Sequence, residues 1–210
     1  MKEDKEWAPG WDIIDSEFER IYLGQEPEHF GSDMSARAMF GGDQFLDGCS
    51  VYTSEKGYKH IVTYGMTTLY ADKKAFGGDV NGWGYEMTMK LKEDNTEECM
   101  WAIALLSNLA RYTYNSQKRF EPMQFVKGSG ASLRLETDSK ITSIISILDT
   151  EAEEKDTIYG KTKFIQFVGI MEEELQKIIG DRSNIELLVQ RMKEDNPDMV
   201  TDMKREKAYL

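Results

Sequence analysis

Residues 83–92 read WGYEMTMKLK, and no other stretch constrains the fold as strongly. Trp83, Tyr85, Met87, Met89 and Leu91 alternate with Gly84, Glu86, Thr88, Lys90 and Lys92. Two is the side-chain period of a β-strand, so the apolar set lines one face and the polar set the other. A chain with such a strand has to build a sheet and cover its apolar side. Residues 47–54 and 58–64, rich in Val, Ile, Tyr and Thr, read as two more strands joined by a turn at Glu55-Lys56-Gly57. Further strands are predicted at 132–136, 141–148 and 162–169.

Helical spacing frames these strands. Trp11, Ile14, Phe18, Ile21 and Tyr22 share one face and predict a helix over 11–23, with Pro9-Gly10 before it and Gly24 after it. Residues 97–115 carry a stripe of Trp101, Leu105, Leu109 and Tyr112, widened by Ile103, Leu106 and Ala110. That width predicts burial on most sides. A shorter helix follows at 172–179. A last one starts at Ser183, where Ser183-Asn184-Ile185-Glu186 spells a capping box, and stops before Pro197. Residues 25–42, 70–82 and 149–156 read as loops. Strand and helix do not alternate regularly, so a doubly wound parallel sheet is disfavoured. The expected fold is α+β: a mixed, largely antiparallel sheet with helices packed on it, as a single domain over 1–210.

Composition excludes several classes of function. The longest apolar run, residues 100–106, is far short of the roughly 20 residues a bilayer needs, and the charged N-terminus MKEDKEW does not read as a signal peptide. Cytoplasmic residence is the expectation. Two cysteines, Cys49 and Cys99, cannot build a disulfide framework and read as reduced thiols. The formal net charge of −12 repels nucleic-acid phosphates and favours a basic partner. The acidic excess sits in the outer thirds, since residues 71–140 hold equal numbers of acidic and basic side chains.

Motifs for catalysis fail on inspection. Gly160-Lys161-Thr162 has the end of a phosphate-binding loop, but Lys155 stands where its first glycine is needed, so a hairpin tip is expected instead. Gly128-Ser129-Gly130 lacks the third glycine of a dinucleotide fingerprint, because Leu133 occupies that position. His29 and His60 lie far apart in sequence and read as hydrogen-bonded structural residues rather than metal ligands. The acidic run Glu151, Glu153, Glu154 and Asp156 reads as a solvated loop. Glu86 stands out on the polar face of the alternating strand, beside Gly82-Trp83-Gly84, where a second backbone could approach. On the residues alone, a binding protein is favoured over an enzyme.

Several blocks in order resemble the suppressor of fused family. They are GWDIID (10–15), GQEPEHF (24–30), LDG (46–48), HIVTYGMTTLY (60–70), GWGYEMTMKLK (82–92), LLSNLARYTYNS (105–116), GKTKFIQFVGI (160–170), EEL (173–175) and VTD (200–202). The resemblance implies a cofactor-free α+β domain without catalytic or metal-binding residues. Animal members sequester a transcription factor of the Hedgehog pathway and grip a short peptide as an added strand. This shorter chain looks like a bacterial member, and such members are thought to be immunity proteins of polymorphic toxin systems. The resemblance therefore implies an antitoxin that neutralises a toxin by direct contact. A cytoplasmic adaptor sequestering a regulatory protein is the alternative, and an enzyme the weaker one. The expected contact residues are Tyr70, Asp79 and Glu86, in a groove beside the alternating strand. Where the family often has a small hydroxyl residue, Met171 stands, so the helix after it is expected to lack that N-cap.

Overall fold

The computed structural model describes residues 7–31 and 45–210. The predicted loop at 25–42 falls partly outside them, and its first part holds an unpredicted strand. The elements are α1 (Pro9–Ile21), β1 (Glu28–Gly31), β2 (Gly48–Ser54), β3 (Tyr58–Tyr64), β4 (Val80–Leu91), α2 (Met100–Ser116), β5 (Gln124–Val126), β6 (Ile141–Leu148), β7 (Lys155–Thr157), β8 (Gly160–Met171), α3 (Glu172–Gly180) and α4 (Asn184–Asp195). The strands form one sheet in the order β1-β2-β3-β4-β8-β6-β5, with β7 also on β8. Among the described strands every pairing is antiparallel except β4 with β8, which is parallel. The mixed, largely antiparallel sheet is the expected one.

Strand alternation sorts the core into layers. Tyr85, Met87, Met89 and Leu91 of β4 face α2, together with Ile165 and Phe167 of β8 and Leu106 and Leu109 of the helix. The other sheet face carries two separate apolar patches. Ile14, Phe18 and Tyr22 of α1 pack on Tyr52, Val62, Tyr64 and Phe164. Leu175, Ile178, Ile185 and Leu188 of α3 and α4 pack on Ile145, Ile147, Val168 and Ile170.

Several local expectations are corrected. Residues 132–136 form a turn, with Leu135 80% exposed and Glu136 at φ 61°; the strand paired to β6 is β5 instead. The acidic loop contains β7, which pairs with the start of β8 as the hairpin that Gly160 had suggested. Helix α2 is buried on one side only, and Tyr112 of its expected stripe is 49% exposed. Ser183 makes no capping box: its hydroxyl donates to Asp181 at 2.8 Å. At α3, Met171 supplies no side-chain cap, but its amide donates to the Glu174 carboxylate at 2.8 Å, which is half of a capping box.

A buried polar seam and an exposed shoulder

The alternation assigns Gly84, Glu86, Thr88, Lys90 and Lys92 to a polar face of β4. At Thr88 and Lys90 that face is buried, in a seam between the α1 patch and the α3–α4 patch. Thr88, Lys90, His60 and Gln166 are each inaccessible, and segments 149–151 and 198–199 cover them. Burying polar groups is costly unless each finds a partner, and here they do. His60 Nε2 lies 3.0 Å from Asp149 Oδ2, and its Nδ1 lies 2.8 Å from the Tyr22 hydroxyl. Lys90 Nζ sits 3.3 Å from Asp149 and 2.8 Å from Glu151, and donates to the Thr150 hydroxyl. Tyr58 and Lys56 also donate to Glu151.

Burial alone would raise both carboxyls, yet their partners outweigh it. His60, Lys90 and the Thr88 hydroxyl hold Asp149 well below the usual carboxylate range. Lys90, Tyr58 and Lys56 bring Glu151 down to about 2. The histidine–carboxylate pair has the composition of a general base, but both side chains are inaccessible to a substrate. The seam holds α1, the β2–β3 hairpin and the 149–154 loop together. Glu151, read as part of a solvated loop, belongs to this seam, whereas Glu153 and Asp156 remain exposed.

Glu86 is also fully buried. Its carboxylate accepts hydrogen bonds from the hydroxyls of Thr63 and Thr67, both at 2.7 Å, and from the amides of Gly65 and Thr67 at 3.1 and 2.9 Å. Thr63 lies near the end of β3, and Gly65 and Thr67 belong to the strap that leaves it and crosses the start of β4. Desolvation dominates and pushes the Glu86 carboxyl up to about 7, against the pull of these donors. Glu86 therefore shapes the strap from inside and presents no oxygen to the surface.

Tyr70 and Asp79 do lie on the surface, at the two ends of the loop between the strap and β4. The Tyr159 hydroxyl donates to the Tyr70 carbonyl at 2.9 Å, and the Lys161 amide donates to the Asp79 carbonyl at 3.1 Å. The β7–β8 hairpin thereby carries the loop. Around it are side chains that sequence reasoning did not single out. Phe76 is 42% exposed, Val80 45%, Ile158 45% and Trp7 55%. The Phe76 ring touches both Trp7 and Tyr159, at centroid distances of 6.1 and 5.5 Å. Isolated aromatic residues in a loop have no periodic signal, so only the folded hairpin brings them together. Next to this shoulder β4 bulges: its register with β8 shifts between Val80 and Tyr85, where Gly82 and Gly84 take φ of 56° and 88°. The two glycines permit a backbone path that other residues resist.

The remaining candidates are structural in setting. His29 Nδ1 lies 3.0 Å from the Ser50 hydroxyl, with its ring against Trp11 and Tyr64. Both cysteines are buried and free. Among the described residues, no group of three His, Cys, Asp or Glu side chains is placed to hold a metal ion, and no helix is long and apolar enough to cross a membrane.

Comparison with known proteins gives a consistent picture. A family model described as "Suppressor of fused protein (SUFU)" matches residues 42–206. The human and mouse proteins named "Suppressor of fused homolog" are each 28% identical over 93% of this chain, which spans only 43% of their length. A structure titled "the Sufu-Fu complex crystal structure" superposes with a TM-score of 0.80 at 22% identity, covering 96% of this chain and 93% of that one. Drosophila Suppressor of Fused gives the same TM-score over 98% of this chain and 52% of its own. A SUFU homolog from Neisseria gonorrhoeae aligns over 96% of this chain and 97% of its own, with a TM-score of 0.62 at 14% identity.

Proposed function

The chain belongs to the suppressor of fused family, and on that premise we propose that it works by binding another protein, as an immunity protein that neutralises a toxin by direct contact in the cytoplasm. It carries out no catalytic step in this reading. The observation that carries it is the exposed shoulder of Trp7, Tyr70, Phe76, Val80 and Ile158 beside the β4 bulge. Aromatic residues clustered at the surface of a rigid scaffold are the usual anchors of a protein interface. Asp79, at the edge of this shoulder, accepts hydrogen bonds from a cationic partner. Glu86 contributes by fixing the strap under the shoulder. The net charge of −12 steers a basic toxin domain toward it.

A second reading, a regulatory adaptor, is supported by the human and mouse relatives and by the complex of Sufu with Fu. Gene neighbourhood and toxicity separate the two. A neighbouring gene whose variable C-terminal domain stops growth unless this protein is co-expressed supports immunity. The binding surface is tested with Tyr70→Ala and Asp79→Ala against that domain by calorimetry. Losses of tenfold or more in affinity, with unchanged thermal unfolding, support the shoulder. If both folded variants stay within about threefold, roughly 0.7 kcal/mol, the partner binds elsewhere.

A further inference from the structure

The sheet ends at β5, which pairs with β6 alone among the described residues. A strand with one partner keeps a row of backbone donors and acceptors that an added strand can use. Beside this edge runs a groove of about 500 Å³, between the C-terminal half of α2, the 117–120 turn, β5 and the turn joining α3 to α4. Its floor is apolar. Leu109 and Phe120 are buried there, and Phe125 and Val126 are half-buried.

Its rim has the opposite polarity to the rest of the protein. Lys118, Arg119, Lys127 and Arg182 line the groove, and no carboxylate does. Arg119 is paired with Glu121 at 2.5 Å. Lys118, Lys127 and Arg182 make no ion pair with any described residue, and the Arg182 guanidinium rests 5.5 Å from the centre of the Phe125 ring. Three cations with no ion pair among the described residues, drawn from three segments around one groove, repel one another. In a chain of charge −12 they are not needed for solubility.

We propose that this groove binds an acidic segment of another protein in extended conformation, added as a further strand on β5. Strand addition supplies affinity through the backbone and selectivity through alternate side chains. The incoming segment lays one set of side chains over Val126 and Phe120 on the α2 side of the sheet and the other set over Phe125 on the α3–α4 side, because successive strand residues face opposite ways. Its acidic residues meet Lys118, Lys127 and Arg182, and Arg182 is suited to bidentate contact with a carboxylate. A long polyanion is disfavoured, because beyond a Debye length of about 8 Å it meets the acidic remainder of the surface. The site differs from the shoulder in place and in charge.

The test uses three fluorescein-labelled peptides: alternating glutamate and valine, alternating lysine and valine, and the acidic peptide with proline at every second position. Fluorescence anisotropy is expected to show binding of the acidic peptide alone. The double variant Lys118→Glu/Arg182→Glu, and separately Phe125→Ala, are expected to weaken it at least about tenfold. Tyr70→Ala is expected to leave it unchanged, so failure here and failure of the shoulder are read independently. The proposal is overturned if the acidic peptide does not bind, or if charge reversal has no effect. It is equally overturned if the proline peptide binds as well, or if inorganic phosphate or single-stranded DNA displaces the peptide at equal concentration. If charge reversal unfolds the protein, Lys118→Gln/Arg182→Gln is measured against the same criterion.

Discussion

The Thr63 hydroxyl donates to the Glu86 carboxylate at 2.7 Å and accepts from the Met87 amide at 2.8 Å. Ladder pairing between β3 and β4 stops at Val62 and Thr88, so this one hydroxyl continues the join where the ladder ends. Beyond it, Glu86 gathers the strap that leads to Tyr70.

Protonation of Glu86 is expected to be visible in stability. Burial raises its pKa from 4.5 to about 7, so between these values the native state binds the extra proton. Its contribution is fully present below 4.5 and is lost as pH rises through about 7. Glu151 has the opposite sign. With its pKa lowered from 4.5 to about 2, its contribution is present above 4.5 and is lost as pH falls through about 2. Urea unfolding across this range is expected to show stability declining from about pH 5 to about pH 8, by on the order of 3 kcal/mol from Glu86. Glu86→Gln is expected to flatten that decline, and an unchanged slope in the variant would refute the assignment.

The buried seam gives a second expectation. Asp149→Ala removes the carboxylate 3.0 Å from the buried His60 and leaves the buried Lys90 with Glu151 as its remaining carboxylate, and removing one member of such a set costs about 3–5 kcal/mol. Lys90→Met/Asp149→Ala is expected to lose clearly less than the sum of the two single variants. Urea unfolding of the four proteins in this cycle measures the coupling, and additive losses would contradict it.

The two glycines of the β4 bulge are expected to respond differently to alanine. At Gly84 the nearest atom to an added Cβ is Val80 Cβ at 3.5 Å, so space is available and the penalty is the positive φ alone, about 1–2 kcal/mol. At Gly82 the Met66 carbonyl oxygen stands only 2.8 Å away, so a steric clash adds to the strain. Gly82→Ala is therefore expected to destabilise more than Gly84→Ala in chemical denaturation. The reverse order would show that the bulge relaxes.

Both thiols are expected to be inert in the native state. Burial pushes Cys49 and Cys99 each up to about 12, and only the thiolate is nucleophilic. Reaction with Ellman's reagent at mildly alkaline pH is expected to follow the rate of unfolding and to become rapid in denaturant. Fast modification of the folded protein would contradict this.

The alternating strand, the β2–β3 hairpin, α1 and α2 were legible because their patterns span many residues. The burial of the polar face of β4 was not legible because period two reports side-chain chemistry, not what later covers it. The segments that bury Thr88 and Lys90 come from residues 149–151 and 198–199, far along the chain. The 132–136 stretch has the alternation of a strand but makes one backbone bond to β6, Leu133 N–H to the Ile141 carbonyl, before Glu136 turns the chain, while the true strand, Gln124–Val126, is too short to show a period. Glu86 was noticed for its neighbours, but its burial depends on the strap folding over it through Gly65, Met66 and Thr67. The Trp7–Phe76 contact joins positions that share no element, and no spacing rule finds such pairs.

The parallel pairing of β4 with β8 places Met87 beside Ile165 at the middle of the sheet. During synthesis, β2, β3 and β4 leave the ribosome as a meander whose outermost strand carries Met87 and Met89, with its partner not yet made. Closing the sheet across so long a loop is slow, and meanwhile the open edge of β4 is a template for aggregation. Folding yield in a cell-free translation should thus depend on how quickly residues 160–171 follow, and on a chaperone guarding that edge until they arrive.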